Sequence, residues 1–331
     1  MKVTTGLRIT DIVLMTVALF TLTFTQSGEA QQSGKIARIG ILRSGSPPDA
    51  NIEGFRQGLR DLGYIEGRNV VLEYRWVDRD DRLLELAREL VQLKVDVILT
   101  GSTPATVAAK EATKTIPIIF GAASDPIGVG LVASLARPGG NITGMSLLAP
   151  ELWPKRLELL KETVPKLARV AMLWNRSNPG MAARAKETQD AAQHMGVAVQ
   201  DRGAKDSQEL ENIFNVITKD RPDGLLTMLD PFTTFHLKHI VEFTANHRLP
   251  GMYEERRFVQ AGGLMSYGPN VANLYRRAAT YIDKILKGSK PAELPVEQPM
   301  KFELFINLHT AKALGLAIPD SVLFRADDVI K

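Results

Sequence analysis

From Ile36 onward, short runs of unbroken apolar residues alternate with segments whose apolar residues recur every three or four positions. "IARIGIL" gives way to "IEGFRQGLRDLGY", in which Phe55, Leu59 and Leu62 fall on one helical face. "NVVLEYRW", "DRLLELARELVQL", "VDVILT", "PATVAAKEATK" and "IPIIFGA" continue the alternation. Strands without a polar face must be covered on both sides, which calls for a parallel sheet between two layers of helices. After "PGGNITGMS" the scheme restarts with "RLELLKETVP", "RVAMLWN" and "GMAARAKETQDAAQHMG", and it runs on to "DGLLTMLD". The pattern therefore predicts two doubly wound lobes in succession. After "IPIIFGAASDP" it predicts a short helix and a loop.

The chain has 331 residues, of which 44% are hydrophobic and 24% charged, enough to bury two medium-sized cores. Its net charge of +4 is scattered along the sequence, with no block that forms a nucleic-acid stripe. Lys2 and Arg8 precede the apolar run Ile12 to Phe24, which is too short to span a bilayer and is followed by "TQSGEA". Residues 1–30 read as a secretory signal, and the remainder as a periplasmic protein. With no cysteine, neither a lipid anchor on that residue nor a disulfide framework is available.

In open parallel sheets ligands sit beyond the carboxyl ends of the strands, where helix N-termini present free N–H groups. The strand tips of this sequence are "RSGSPP", "GSTPAT" and "ASDP" in the first unit, and "NRSNPG", "DPFTTF" and "YEE" in the second. Hydroxyls, amides and carboxylates recur there. Helix capping accounts for part of this, since Thr103 before Pro104 and Asp125 before Pro126 suit an N-cap position. Six such tips along one edge also describe a binding cleft.

Enzyme chemistry lacks its signatures. The first tip has proline where a G-x-G-x-x-G phosphate turn must be tight, and neither a P-loop nor a G-x-S-x-G elbow occurs. The "HLKH" pair, His236 and His239, has no H-E-x-x-H partner, so no metal or other cofactor is expected.

"GFRQGLRDLGYIEGRNVVLEYRW", "IPIIFGAASDPIGVGLVASLARPGGNITGMS", "LPGMYEERRFVQAGGLMSYGPN" and "INLHTAKALGLAIPDSVLFRADDVI" together resemble the extracytoplasmic solute-binding proteins of ABC transporters, in the family typified by tryptophan- and tyrosine-binding components. The resemblance implies a type I periplasmic-binding-protein fold, with two doubly wound parallel-sheet lobes joined by a hinge. It implies residues 36–147 plus about 262–288 in the first lobe and 148–261 plus about 289–331 in the second. The crossings fall at 146–152, at 262–268 and across "KGSKPAELPVEQP". It also implies a non-enzymatic monomer that hands a small solute to a membrane permease and its ATPase, with no nucleic-acid partner. A ligand-sensing module feeding a membrane receptor is the alternative.

In such a cleft Asp125 and Asp230, from different lobes, suit an ammonium group, while Ser102 and Thr103 at a helix start suit a carboxylate. That pairing favours an amino acid or a related zwitterion. Ser44, Ser124 and Asn175 complete the polar set at the strand tips. Tyr253 and Tyr267, with Trp76 and Trp174, lie near strand ends and suit an aromatic or branched side chain, core packing being the other reading of each.

Overall fold

The computed structural model describes residues 36–45, 49–77, 80–147 and 152–331, so the expected leader at 1–30 lies outside the described residues. The first sheet is built from β1 (Ala37–Ser44), β2 (Val70–Val77), β3 (Val97–Thr100), β4 (Ile118–Ala123) and β5 (Ile142–Ser146). Its order is β2-β1-β3-β4-β5 and every pairing is parallel. All residues of β3 and β4 are buried, as the unbroken apolar runs require. Between the strands lie α1 (Ala50–Asp61), α2 (Leu83–Gln92) and α3 (Thr103–Ala112). Helix α2 buries Leu83, Leu86, Ala87 and Leu90, one stripe at helical spacing.

The second sheet contains β6 (Arg169–Asn175), β7 (Ala198–Ala204), β8 (Gly224–Thr227), β9 (Gly251–Tyr253), β10 (Met265–Pro269), β11 (Phe302–Asn307) and β12 (Asp328–Ile330). Its order is β12-β11-β10-β9-β8-β6-β7, parallel except where β11 runs antiparallel to β10. Helices α4 (Leu152–Thr163), α5 (Ala182–His194), α6 (Ser207–Asp220), α7 (Pro231–Phe235), α8 (Leu237–Asn246) and α9 (Arg256–Gln260) belong to this half. After β10 the chain forms α10 (Val271–Leu286), and after β11 it forms α11 (Leu308–Leu314) and α12 (Asp320–Leu323). Two lobes with parallel sheets result, each with its own apolar clusters, within one unit running from Ala37 to Lys331.

Two local expectations change. Residues 126–130 form turns rather than a short helix, because Gly128 donates its N–H to the Asp125 carboxylate at 2.8 Å and Gly130 takes a left-handed φ of 68°. The segment 262–288 is also divided between the sheets. Strand β10 hydrogen-bonds to β9 and β11 in the second sheet, and only α10 returns to the first lobe, where Leu274, Tyr275, Ala278 and Ile282 join its apolar cluster. That crossing therefore lies between Pro269 and Val271 rather than at 262–268. The return from α10 runs beside β5, with Ser146 N–H donating to the Glu297 carbonyl at 2.8 Å, before the chain reaches β11.

The second lobe holds a buried ionic cluster. Arg156, wholly buried, lies 3.3 Å from Glu254, donates through Nε to the Tyr267 carbonyl at 2.6 Å, and stacks over Trp153 with Arg184. Desolvation pushes the Arg156 guanidinium down to about 10 despite the attraction of Glu254, and it also lowers Arg184. Glu254 is therefore the carboxylate that keeps two buried cations tolerable. Glu254→Ala is expected to destabilise the fold by about 3–5 kcal/mol, measured by denaturant titration, because it strands a buried charge.

Candidate ligand-binding site

A cavity of about 470 Å³ opens where the carboxyl ends of the two sheets face each other, a size that falls in the range of about 300–1,000 Å³ typical of small-molecule sites. The first lobe contributes the tips of β1, β3, β4 and β5, together with Val271 and Tyr275 of α10. The second contributes Asn178 after β6, Asp230 to Phe235 around α7, Lys238, and Glu255 and Arg257 after β9.

The cavity has two distinguishable ends. At one, the tip of β6 meets the tips of β3 and β4. A Cβ on Gly180 would lie 3.2 Å from both the Ser124 Cβ and the Thr103 Oγ1, so any side chain there pushes these loops apart by a few tenths of an ångström. Ser102 caps α3, its hydroxyl oxygen accepting from Ala105 N–H at 3.3 Å, and Thr103 Oγ1 accepts from Ser124 N–H at 3.0 Å. Both hydroxyl hydrogens remain available as donors beside the N-terminus of α3. Facing them, the buried Asp230 carboxylate accepts from Asn175 Nδ2 at 2.8 Å, Asn178 Nδ2 at 2.7 Å and Phe232 N–H at 2.8 Å.

At the other end the tip of β9 faces the tip of β1. Arg43, the penultimate residue of β1, donates Nη1 and Nη2 to Asp49 at 2.9 and 2.7 Å. Its guanidinium lies 5.2 Å from the Trp76 ring centroid and 5.0 Å from that of Tyr275. Across the cleft Arg257 donates to both oxygens of Glu255, at 2.6 and 2.9 Å. Arg257 is buried enough to be partly desolvated, but hydrogen bonding to Glu255 and attraction by Glu255, Asp49 and Tyr275 raise it above its ordinary value. Tyr275, buried among all four charges, has its phenol pushed up to about 12, chiefly by desolvation.

Of the residues expected at the site, Ser44, Ser102, Thr103, Ser124 and Asp230 line the cavity. Asn175 stands behind it, holding Asp230. Asp125 does not line it, because its carboxylate turns back to the Gly128 N–H, although it lies within electrostatic reach of Arg184. Tyr253 is buried in the second core, bonded to Thr244 Oγ1 at 2.9 Å and stacked on Phe258. Tyr267 packs against Phe302 and the core, and Trp174 donates Nε1–H to Asp201 at 2.7 Å. Trp76 covers Arg43 instead of facing the cavity. Sequence reading missed Arg43, Asp49, Asn178, Glu255, Arg257 and Tyr275 as site residues, although all but Tyr275 lie in or next to tips that it singled out. His236 and His239 are spent on Ser207 and Glu211.

A family model described as ABC transporter substrate binding protein matches residues 35–330. The chain belongs to that family. A tyrosine-binding protein of Clostridioides difficile is 30% identical over 86% of this chain and 82% of its own. An ABC domain from Streptococcus pneumoniae in complex with L-Trp is 28% identical, covers 89% of this chain and 100% of its own, and superimposes with a TM-score of 0.84. The ligand-free, open structure of a substrate-binding protein with adhesive properties from Clostridium difficile is 27% identical with the same coverage, 89% and 100%, and has a TM-score of 0.64. The fold is that of the type I periplasmic binding proteins, and the chain is a substrate-binding protein of the kind that binds small solutes. Gly180→Val is expected to crowd Thr103 and Ser124 only when the lobes meet, costing about 1–3 kcal/mol in that arrangement. Solute affinity measured by calorimetry should fall while the denaturant midpoint holds.

Proposed function

We propose that this substrate-binding protein captures an amino acid in the cleft outside the cytoplasm and delivers it to a membrane permease. The observation that carries the reading is the opposition of hydroxyl donors and a helix N-terminus on the first lobe to the Asp230 carboxylate on the second. An α-carboxylate fits the first set, because Ser102 and Thr103 donate without needing to lose another hydrogen bond. An α-ammonium fits the second, because Asp230 is held in place by Asn175 and Asn178 and carries the charge that an ammonium needs. Neither set alone recognises a zwitterion, so binding draws the lobes together. The higher similarity to the L-Trp complex than to the open, ligand-free structure, at 28% and 27% identity, supports reading the lobe arrangement described above as the closed one. The relatives' names, with tyrosine and L-Trp in them, support an amino acid as the solute class. Leu147, Leu229 and Val271 provide an apolar stretch of wall for the side chain. Residues 1–30 supply the export signal in this reading, and among the described residues no helix is long and apolar enough to cross a membrane.

A thermal-shift screen tests the proposal. An amino acid present at 100 times its dissociation constant is expected to stabilise the native state by about 2.7 kcal/mol. Shifts given only by sugars, polyamines or metal ions would overturn it. Asp230→Asn keeps the size of the side chain and removes its charge, and it is expected to weaken amino-acid binding by about 1.5–3 kcal/mol in calorimetry.

A further inference from the structure

The zwitterion reading fixes where the ammonium and carboxylate of a solute sit, but not which residue chooses its side chain. An apolar side chain gains affinity from the wall surface that it removes from water, so the exposed part of a wall counts for more than its extent. Most of the apolar wall is already covered. Ala122, Leu147, Val271 and Tyr275 are each 8% exposed or less, and Leu229 and Pro231 are partly buried, Leu229 against the apolar cluster of the first lobe. Phe235 differs from all of them, because it lines the cavity and is 51% exposed. Among the described residues it is the one large apolar side chain that is both exposed and part of this wall.

We propose that Phe235 is the residue that selects the side chain of the solute, favouring a large apolar one over a small or charged one. The inference rests on the amino-acid reading of the cleft. Phe235 is the last residue of α7 and Asp230 is its N-cap, tied to Thr233 by a capping box. At a rise of about 1.5 Å per residue the two lie about 7.5 Å apart along the helix. An amino acid whose ammonium stays on Asp230 therefore reaches the ring only with a side chain that extends well past its β-carbon. The ring also has a fixed backing. His236 packs edge-on against it, with centroids 5.0 Å apart and an interplanar angle of 87°, and is itself held by the Ser207 hydroxyl, 3.2 Å from Nε2. A small side chain leaves the ring wet. A charged tip must shed water to cover it and receives no hydrogen bond from the ring in return. Lys238, which lines the same wall three residues on, adds a like charge against a cationic tip.

Calorimetry with L-tryptophan, L-phenylalanine, L-leucine, L-alanine, L-glutamate and L-lysine tests the assignment, a solute too weak to titrate directly being measured by displacement of the tightest. On the wild-type chain the best of the first three is expected to bind at least tenfold tighter than L-alanine, and tighter than L-glutamate and L-lysine. Phe235→Ala is expected to weaken that solute at least tenfold and L-alanine less than threefold. A residue that acted only on lobe closure would weaken every solute alike. Equal losses for all solutes, or affinities that Phe235→Ala leaves unchanged, overturn the role of Phe235 while the amino-acid reading stands. The same holds if L-alanine or a charged amino acid binds the wild-type chain best, or if only amino acids outside these six bind it. If no amino acid binds, the amino-acid reading falls and takes the inference with it. Because the ring is half exposed, Phe235→Ala is expected to keep the wild-type denaturant midpoint. Should it fail to fold, Phe235→Gln, closer in size to the original side chain, carries the same expectation.

Discussion

Parallel strands covered on both faces leave polar chemistry almost nowhere to go. Inside each lobe the helices bury everything that β3, β4, β6 and β8 expose, apart from the Arg169 end of β6. Backbone and side-chain polar groups are therefore pushed to the strand ends, and the carboxyl ends collect helix N-termini as well. When two such sheets are joined by three crossings, their polar edges face each other. The cleft is thus a consequence of how the cores are built. The same constraint explains why glycine matters at Gly180 and Gly101: loops and an arginine stem must approach closely where the two edges meet.

Within the cleft, charge is managed by pairing. Arg43 with Asp49 and Arg257 with Glu255 are each closed within one lobe, so neither lobe needs the other to neutralise its charges. Asp230 accepts from the side-chain amides of Asn175 and Asn178 and from the Phe232 N–H, which fix its orientation at the cavity. Behind it, Arg156, Arg184 and Glu254 anchor the second lobe, and the neighbouring residues Glu254 and Glu255 divide the work, one turned to the core and one to the cavity.

Much of the fold was legible in the sequence because hydrophobic period and run length report directly on burial. The strand tips could be located to within a few residues for that reason. Individual side chains were harder to place. Asp49 and Asp125 are both aspartates beside proline near a strand tip, yet Asp49 caps α1 and grips Arg43 while Asp125 bends back to Gly128. The difference is made by loop geometry that no periodicity encodes. Arg43 looks in sequence like a basic residue ending a strand, and only the nearby rings of Trp76 and Tyr275, with the grip of Asp49, show that it is held in place. Tyr275 had no signal, because it lies within α10 rather than at any of the strand tips where polar residues recur. Tyr253 and Tyr267 were drawn to the site by proximity to strand ends, but their alternating directions along β9 and β10 turn them into the core.

The central claim is that a solute binds both lobes at once and that the arrangement described here is the bound one. The chain contains no cysteine, so spin labels can be placed at Glu111→Cys on α3 and Lys186→Cys on α5, both exposed and on opposite lobes. Pulsed dipolar spectroscopy then reads the inter-lobe distance with and without a saturating amino acid. The account requires a short, narrow distribution with the amino acid bound, and a longer, broader one without it. Superimposable distributions in the two conditions, or a distance that lengthens on binding, would contradict it.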